Sequence, residues 1–295
     1  MAPDKVTVGL IQTSSHEDPR SNLEKNIAKI REAASSGAQI ICLQELFYLP
    51  YFCQECRRQY FSFAETLPGP VTDTLAEVAR ELSVVIIAPL FERRAEGVYH
   101  NSAAVLDADG SLRGIYRKMH LPNDPFFYEK FYFAPGDLGW KCFDTRYGRI
   151  GVLICWDQWF PEAARLVALE GAQVLFYPTA IGWHELENKE EAVIQREAWE
   201  VVQRSHAIAN EIYVAAVNRT GKEGPVTFWG SSFVCDPFGK MLAKAEQTGD
   251  AILLAECDLS RIAEIRQNWP FLRDRRIDAY RGMDKIFGGA GEALP

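Results

Sequence analysis

No stretch of this chain is long and apolar enough to span a bilayer. Its best run, Val84 to Phe91, falls far short of the roughly 18 residues a spanning helix needs, so no membrane role is expected. Blocks of Lys and Arg are missing too. The 40 acidic side chains outnumber 32 basic ones, and the net charge of −8 has the wrong sign for tracking phosphates, so nucleic acid is not an expected partner. The opening residues, Met1 to Lys5, lead straight into a strand-like segment without the apolar core of a secretion signal, and the chain is read as cytoplasmic. Histidine is scarce, with five in the chain, and cysteine is odd in number, with seven. Four of these thiols lie in apolar strand-like runs, where reduced core cysteines are the rule. Cys53-Gln-Glu-Cys56 is a lone C-x-x-C with no second Cys/His pair at zinc-finger spacing, so neither metal nor cofactor is expected. Linkers and low-complexity segments are also absent. Residues 1–295 therefore read as one domain, and a 47% hydrophobic chain of this length can bury roughly 75% of its extended surface.

What the chain does contain is a strand and helix grammar. Val6 to Gln12 alternates like a strand, and Ser21-x-x-Glu24 reads as a capping box opening a helix that carries Leu23, Ile27 and Ile30 on one face. Gly37 ends it, and Gln39 to Leu46 is a buried strand with the carboxylate Glu45 at its exit. A helix over Val71 to Leu82 and the apolar run Val84 to Leu90 repeat the unit. Two strands then flank the hairpin turn Asp107-Ala-Asp-Gly110, and Lys118 lies near the end of the second. Leu121 to Gly139, rich in aromatics, Pro and Gly, is too long for a casual connection and is a candidate functional loop. Ile150 to Cys155 is a near-continuous apolar strand feeding a helix from Pro161, which places Cys155 at a strand-to-helix turn. The chain also echoes itself. Gly37-Ala-Gln-Ile-Ile and Gly171-Ala-Gln-Val-Leu both follow a helix and open a buried strand, which predicts two sheets of like topology.

Three ionisable groups thus fall at strand ends: Glu45, Lys118 and Cys155. Singly each has an ordinary explanation as a surface cap, a solvated lysine or a core thiol. Jointly they sit where α/β sheets collect reactive groups, in the crevice at the carboxyl ends of the strands. The segments Leu43-Gln-Glu45-Leu-Phe, Tyr116-Arg-Lys118-Met-His-Leu-Pro122 and Gly151-Val-Leu-Ile-Cys155-Trp-Asp-Gln-Trp-Phe-Pro-Glu162 resemble the three signatures of the nitrilase superfamily of carbon–nitrogen hydrolases. The likeness runs from about Val6 to Tyr280. It implies a four-layer α-β-β-α sandwich and a homo-oligomer of two or more copies, with the aromatic, Arg-bearing tail from about Asn268 available to pack on a partner subunit. The runs Tyr51-Phe-Cys-Gln54, Glu129-Lys-Phe-Tyr-Phe-Ala-Pro-Gly-Asp137 and Phe176-Tyr-Pro-Thr-Ala-Ile-Gly182 look closest to the branch that acts on N-carbamoylputrescine.

The chemistry explains the residue types. An amide or ureido carbon is a poor electrophile, so the attacking atom must be a strong nucleophile and its oxygen needs stabilising as charge develops. A thiol near pKa 8.5 is mostly protonated at neutral pH, and the resemblance gives Glu45 the task of taking the Cys155 proton. By the same likeness Lys118 stabilises thiolate and oxyanion beside the Trp156 backbone N–H, and Glu129 orients Lys118. His120, next to the lysine, is expected to support rather than transfer protons. The expected substrate is a small carbamoylated amine whose cationic end calls for acids and aromatics. Glu185, in the run Trp183-His-Glu185-Leu-Glu187, is the candidate partner for that amine, and Tyr51, Trp156 and Ala180 are candidate pocket walls. An N-carbamoyl amino acid is the alternative substrate, and a catalytically silent polyamine-binding or scaffold protein the alternative of another class.

Overall fold

The computed structural model describes residues 3–286. Strand β1 (Lys5–Gln12) leads into helix α1 (Pro19–Ser35), then β2 (Ile40–Leu43), α2 (Pro70–Leu82), β3 (Val85–Ala95), β4 (Val98–Leu106) and β5 (Leu112–Arg117). A short helix α3 (Glu129–Tyr132) lies in the long aromatic loop. The second half runs β6 (Cys142–Thr145), β7 (Gly148–Val152), α4 (Pro161–Leu169), β8 (Val174–Thr179), β9 (Gly182–His184), α5 (Lys189–Asn210) and β10 (Tyr213–Asn218). It closes with β11 (Thr220–Glu223), β12 (Val226–Trp229), β13 (Phe233–Cys235), β14 (Met241–Lys244), β15 (Ala251–Asp258) and α6 (Ser260–Asn268).

Two six-stranded sheets carry the fold, in the orders β15-β1-β2-β3-β4-β5 and β14-β13-β10-β8-β7-β6. In the first, β1, β2 and β3 are parallel, with β4 and β5 antiparallel beyond them; β7, β8, β10, β13 and β14 repeat that arrangement in the second. The period of two along a strand assigns the faces. Val6, Val8, Leu10, Ile40, Cys42, Val85 and Ile87 turn inward onto the second sheet in one continuous core, while Ile11, Ile41, Leu43, Ile86 and Leu90 turn outward under α1 and α2. Helices α4 and α5 cover the far side of the second sheet. The four layers expected from the resemblance are therefore present.

The internal echo is a true structural repeat. Gln39 and Gln173 occupy the same place: each side-chain Oε1 accepts from the preceding strand, from Thr7 N at 3.0 Å and from Arg149 N at 2.9 Å. The glycines before them, Gly37 and Gly171, have φ of 98° and 93°, conformations that glycine takes without steric cost. Asp107 to Gly110 recurs as Asp236 to Gly239, each turn closed by the glycine N–H donating to the aspartate carbonyl at 2.8 Å.

Some boundaries differ from the sequence reading. Helix α1 starts earlier than Ser21, because Asp18 is the cap, accepting from Arg20 N and Ser21 N with Pro19 in the first turn. Strand β2 ends at Leu43 and β7 at Val152, where the chain must bend to bring Glu45 and Cys155 off the sheet edges. The segment at Trp183, for which no strand was read, forms part of a three-stranded sheet, β11-β12-β9. The tail from Asn268 leaves Trp269, Ile277 and Met283 exposed, and its last nine positions, 287–295, lie outside the described residues.

Candidate active site

The turns that carry Glu45 and Cys155 both pass through strained backbone. Leu46 has φ of 50° and Cys155 itself 45°, left-handed conformations that cost a side-chain-bearing residue on the order of 1–3 kcal/mol. Arg219, wholly buried, holds the first turn open. One of its terminal nitrogens donates to the carbonyls of Glu45, Leu46 and Leu49 at 3.2, 2.9 and 3.1 Å, and the other pairs with Glu223 at 2.7 Å. The second Glu223 oxygen accepts from Tyr51 N at 2.8 Å, so one ion pair fixes both the Glu45 and Tyr51 segments.

Beyond β5 the Lys118 ammonium is buried between two carboxylates. It donates to Glu45 Oε1 at 2.8 Å and to the two oxygens of Glu129 at 2.8 and 2.6 Å. Asn101 Nδ2 donates to the same Glu45 oxygen at 2.7 Å, and Glu45 Oε2 is buried with no partner among the described residues. That is an acceptor held ready for a proton. Tyr51 O–H donates to Glu129 Oε1 at 3.1 Å, and the Cys155 thiol lies 3.9 Å from the Ala180 carbonyl oxygen.

Charge is unevenly matched in this buried site. Burial pushes the Cys155 thiol up, Glu45 and Glu129 push it the same way, and Lys118 pulls it back. For Lys118 burial acts downward, but Glu129 and Glu45 overcome it and hold the ammonium protonated. Burial raises Glu129 against the pull of Lys118. The resting arrangement is thus a neutral thiol beside a fixed cation and a carboxylate with a free oxygen. Such a set suits a reaction in which thiol deprotonation and nucleophilic attack occur together.

Six of the eight candidate residues, Glu45, Lys118, Glu129, Tyr51, Cys155 and Ala180, come together here. Two side chains face elsewhere. The half-buried Trp156 indole lines a cavity of about 520 Å³ with Met119, His120, Lys130 and Phe160. Glu185 is exposed and lines another, of about 380 Å³, with Trp183, Glu187 and Lys222. Sequence reasoning missed Asn101 and Arg219. Their signal was a polar residue within or just after an apolar strand run, which is rare unless it has a buried partner.

The sequence model of the carbon-nitrogen hydrolase family matches residues 7–267. The chain belongs to that family and is a hydrolase of C–N bonds, as the three signatures led one to expect. An N-carbamoylputrescine amidase of Arabidopsis thaliana is 44% identical over 286 residues, covering 94% of each chain. A citrullinase of Francisella tularensis subsp. tularensis is 41% identical over 280 residues, 93% of this chain and 96% of the relative. The crystal structure of a carbon-nitrogen hydrolase from Helicobacter pylori G27 superposes with a TM-score of 0.93 at 44% identity, over 96% of this chain and all of that one. No helix among the described residues is long and apolar enough to cross a membrane.

Proposed function

We propose that this enzyme hydrolyses N-carbamoylputrescine to putrescine, ammonia and carbon dioxide through a thioester on Cys155. The observation that carries the reading is the buried Lys118 ammonium held between Glu45 and Glu129 next to the Cys155 thiol. In the first half-reaction the Cys155 sulfur bonds to the ureido carbon, the carbonyl electron pair moves onto oxygen, and the thiol proton passes to Glu45. Lys118 and the Trp156 N–H, in the first turn of the short helix at Cys155–Trp159, stabilise the oxygen; one such donor is typically worth about 10² to 10³ in rate. Collapse of the adduct breaks the C–N bond, and Glu45 returns its proton to the departing nitrogen. Water then attacks the carbamoyl thioester as Glu45 takes its proton, the sulfur leaves and recovers that proton, and the carbamic acid released breaks its own C–N bond, losing carbon dioxide and freeing the remaining nitrogen as the second amine product.

The acidic cavity supports an amine at the far end of the substrate. Ala180, beside the thiol, is three residues from Trp183 at the cavity wall, a span of at most roughly 10 Å of extended chain. Glu187 is engaged by His184, whereas the Glu185 carboxylate has no partner among the described residues. An ammonium bound there forms a charge-assisted hydrogen bond worth about 1.5 to 3 kcal/mol. Replacing Glu185 with Gln therefore raises KM for N-carbamoylputrescine by about tenfold or more and changes kcat less, since the contact is equal in ground and transition states. An unchanged KM would remove Glu185 from the site.

One observation favours a second reading. Lys222 lines the same cavity, and a cation beside two acids also fits the amino-acid end of a ureido amino acid such as citrulline. Ammonia release from N-carbamoylputrescine, citrulline, N-carbamoyl-β-alanine and asparagine separates the two. The proposal expects kcat/KM for N-carbamoylputrescine to lead by at least about 100-fold, or 2.7 kcal/mol; a lead for citrulline overturns it in favour of the second.

A further inference from the structure

Asp157 takes no part in the chemistry above, yet it is wholly buried and all its hydrogen bonds go to two segments. One oxygen accepts from the Tyr116 O–H at 2.7 Å and from Ile154 N at 2.9 Å. The other accepts from His120 N at 3.0 Å and faces His120 Nδ1 at 2.8 Å. Tyr116 and His120 stand two residues either side of Lys118; Ile154 and Asp157 bracket Cys155. The His120 ring also stacks on Phe160, at the end of the Cys155 turn, with centroids 3.7 Å apart and planes 6° from parallel. A single carboxylate therefore ties the end of β5 in one sheet to the nucleophile turn leaving β7 in the other. It also caps the N–H of the residue before Cys155, whose backbone is in the left-handed region.

We propose that Asp157 is a positioning residue that sets the distance between Cys155 and Lys118, with Tyr116 and His120 as its two grips. A buried carboxylate with four donors aimed at it is a rigid joint, because each donor lost leaves an unsatisfied polar group in a buried site. Asparagine at this place keeps the shape, but its amide N–H must face either the Tyr116 and Ile154 pair or the His120 pair, donor against donor. The two catalytic segments then lose their common anchor.

The test follows Cys155 itself, by the pH dependence of its alkylation with iodoacetamide, read by peptide mass spectrometry so that exposed Cys56 does not interfere. The groups acting on the thiol are Glu45 and Glu129, which push its midpoint up, and Lys118, which pulls it down. Removing a negative charge alone would lower the midpoint, so a rise reports a lysine that has moved away. Asp157→Asn is expected to raise the midpoint by about one pH unit and to lower kcat by about 100-fold, the cost of misplacing a reacting group by about an ångström. A variant that melts earlier but keeps both midpoint and kcat overturns the proposal. Should Asp157→Asn fail to fold, Tyr116→Phe removes one grip only, and a midpoint and kcat both unchanged in it are equally fatal. The inference rests on the roles given above to Cys155 and Lys118, and Lys118→Met in parallel tells the two apart. If that variant raises the midpoint while Asp157→Asn does not, the clamp alone fails. If Lys118→Met leaves the midpoint in place, the role of the lysine fails and the clamp with it.

Discussion

The two halves of the molecule share a backbone plan and differ in what they hang on it. Register maps Thr7 onto Arg149, so Thr13 stands where the second half has Cys155. It maps Gln39 onto Gln173, which puts Thr179 opposite Glu45, and Asp107 onto Asp236, which puts Gln247 opposite Lys118. At each of the three strand exits one half carries an ionisable residue of the candidate site and the other a neutral polar residue. Glu45 and Lys118 come from the first half and Cys155 from the second, so neither half holds a complete set. Strand pairing and turn geometry tolerate many side chains, provided the apolar faces meet, whereas the chemistry needs one residue type at one place. That is how a duplicated scaffold can carry a candidate site that is not duplicated.

The sharpest way to break the comparison is to alter one member of a pair at a time. Cys155→Ser is expected to lower kcat by about 10⁴-fold or more, because a hydroxyl in the same place has no thiolate character to offer. Thr13→Ser, at the mirror position, should leave kcat within about threefold, since serine keeps the hydroxyl that donates to Asn26 Oδ1 at 3.4 Å and leaves intact the backbone bonds from Thr13 N to Gln44 Oε1 at 2.7 Å and from Thr220 N to the Thr13 carbonyl at 3.2 Å. Ammonia release and a melting curve on each variant decide the matter. Activity above about 1% in Cys155→Ser would mean the nucleophile is another group.

A smaller effect separates the covering helices. Ala79 and Ala207 each accept the N–H that opens the next strand segment, from Val84 and Ile212, so Val78 in α2 is the counterpart of His206 in α5. Burial holds the His206 imidazole down to about 4, below the value near 6.5 it regains on unfolding. The unfolded chain therefore binds the extra proton between those two values, and stability is lost as pH falls from about 6.5 towards 4, by up to about 3 kcal/mol. Above 6.5 the group is neutral in both states and contributes no slope. Urea unfolding at pH 7.5 and 4.5 should show wild type losing about 2 to 3 kcal/mol more than His206→Val over that interval. Equal losses would mean that the imidazole is protonated inside the fold.

Much of the scaffold was legible because its signals are local. Apolar runs of strand length, Gly37 and Gly171 after helices, and the Asp107 and Asp236 turns each announce an element within a few residues. Glu45, Lys118 and Cys155 were legible for the same reason, each lying inside a short signature. Asn101, Arg219 and the grips on Asp157 were not, since their partners lie 56, 174 and 41 positions away and meet only when the sheets are formed and stacked. The small sheet of β9, β11 and β12 escaped as well: strands of three or four residues with Gly182 and the Gly224-Pro225 turn among them lack the length for a period-two pattern.

The finest test asks whether the repeat is energetic as well as geometric. Gln39 and Gln173 are both half-buried, both accept a strand amide through Oε1, and both donate their own N–H to the carbonyl of the same residue, Thr7 or Arg149, at 2.8 Å. Truncation to alanine removes one side-chain hydrogen bond in each case and leaves the backbone pair intact, a net cost of about 1 kcal/mol. For a chain of this size that is a fall in Tm of roughly 2–4 °C. Gln39→Ala and Gln173→Ala should therefore destabilise by amounts that agree within about 0.5 kcal/mol, and because the two sites share no partner the double variant should lose their sum to the same tolerance. Two outcomes would count against the equivalence. A cost more than about 1 kcal/mol larger in one half would show that its strand pair leans on the glutamine while the other is held by its surroundings. A double variant losing clearly more than the sum would show that the two sheets fail together, each relying on the other's register across the shared core.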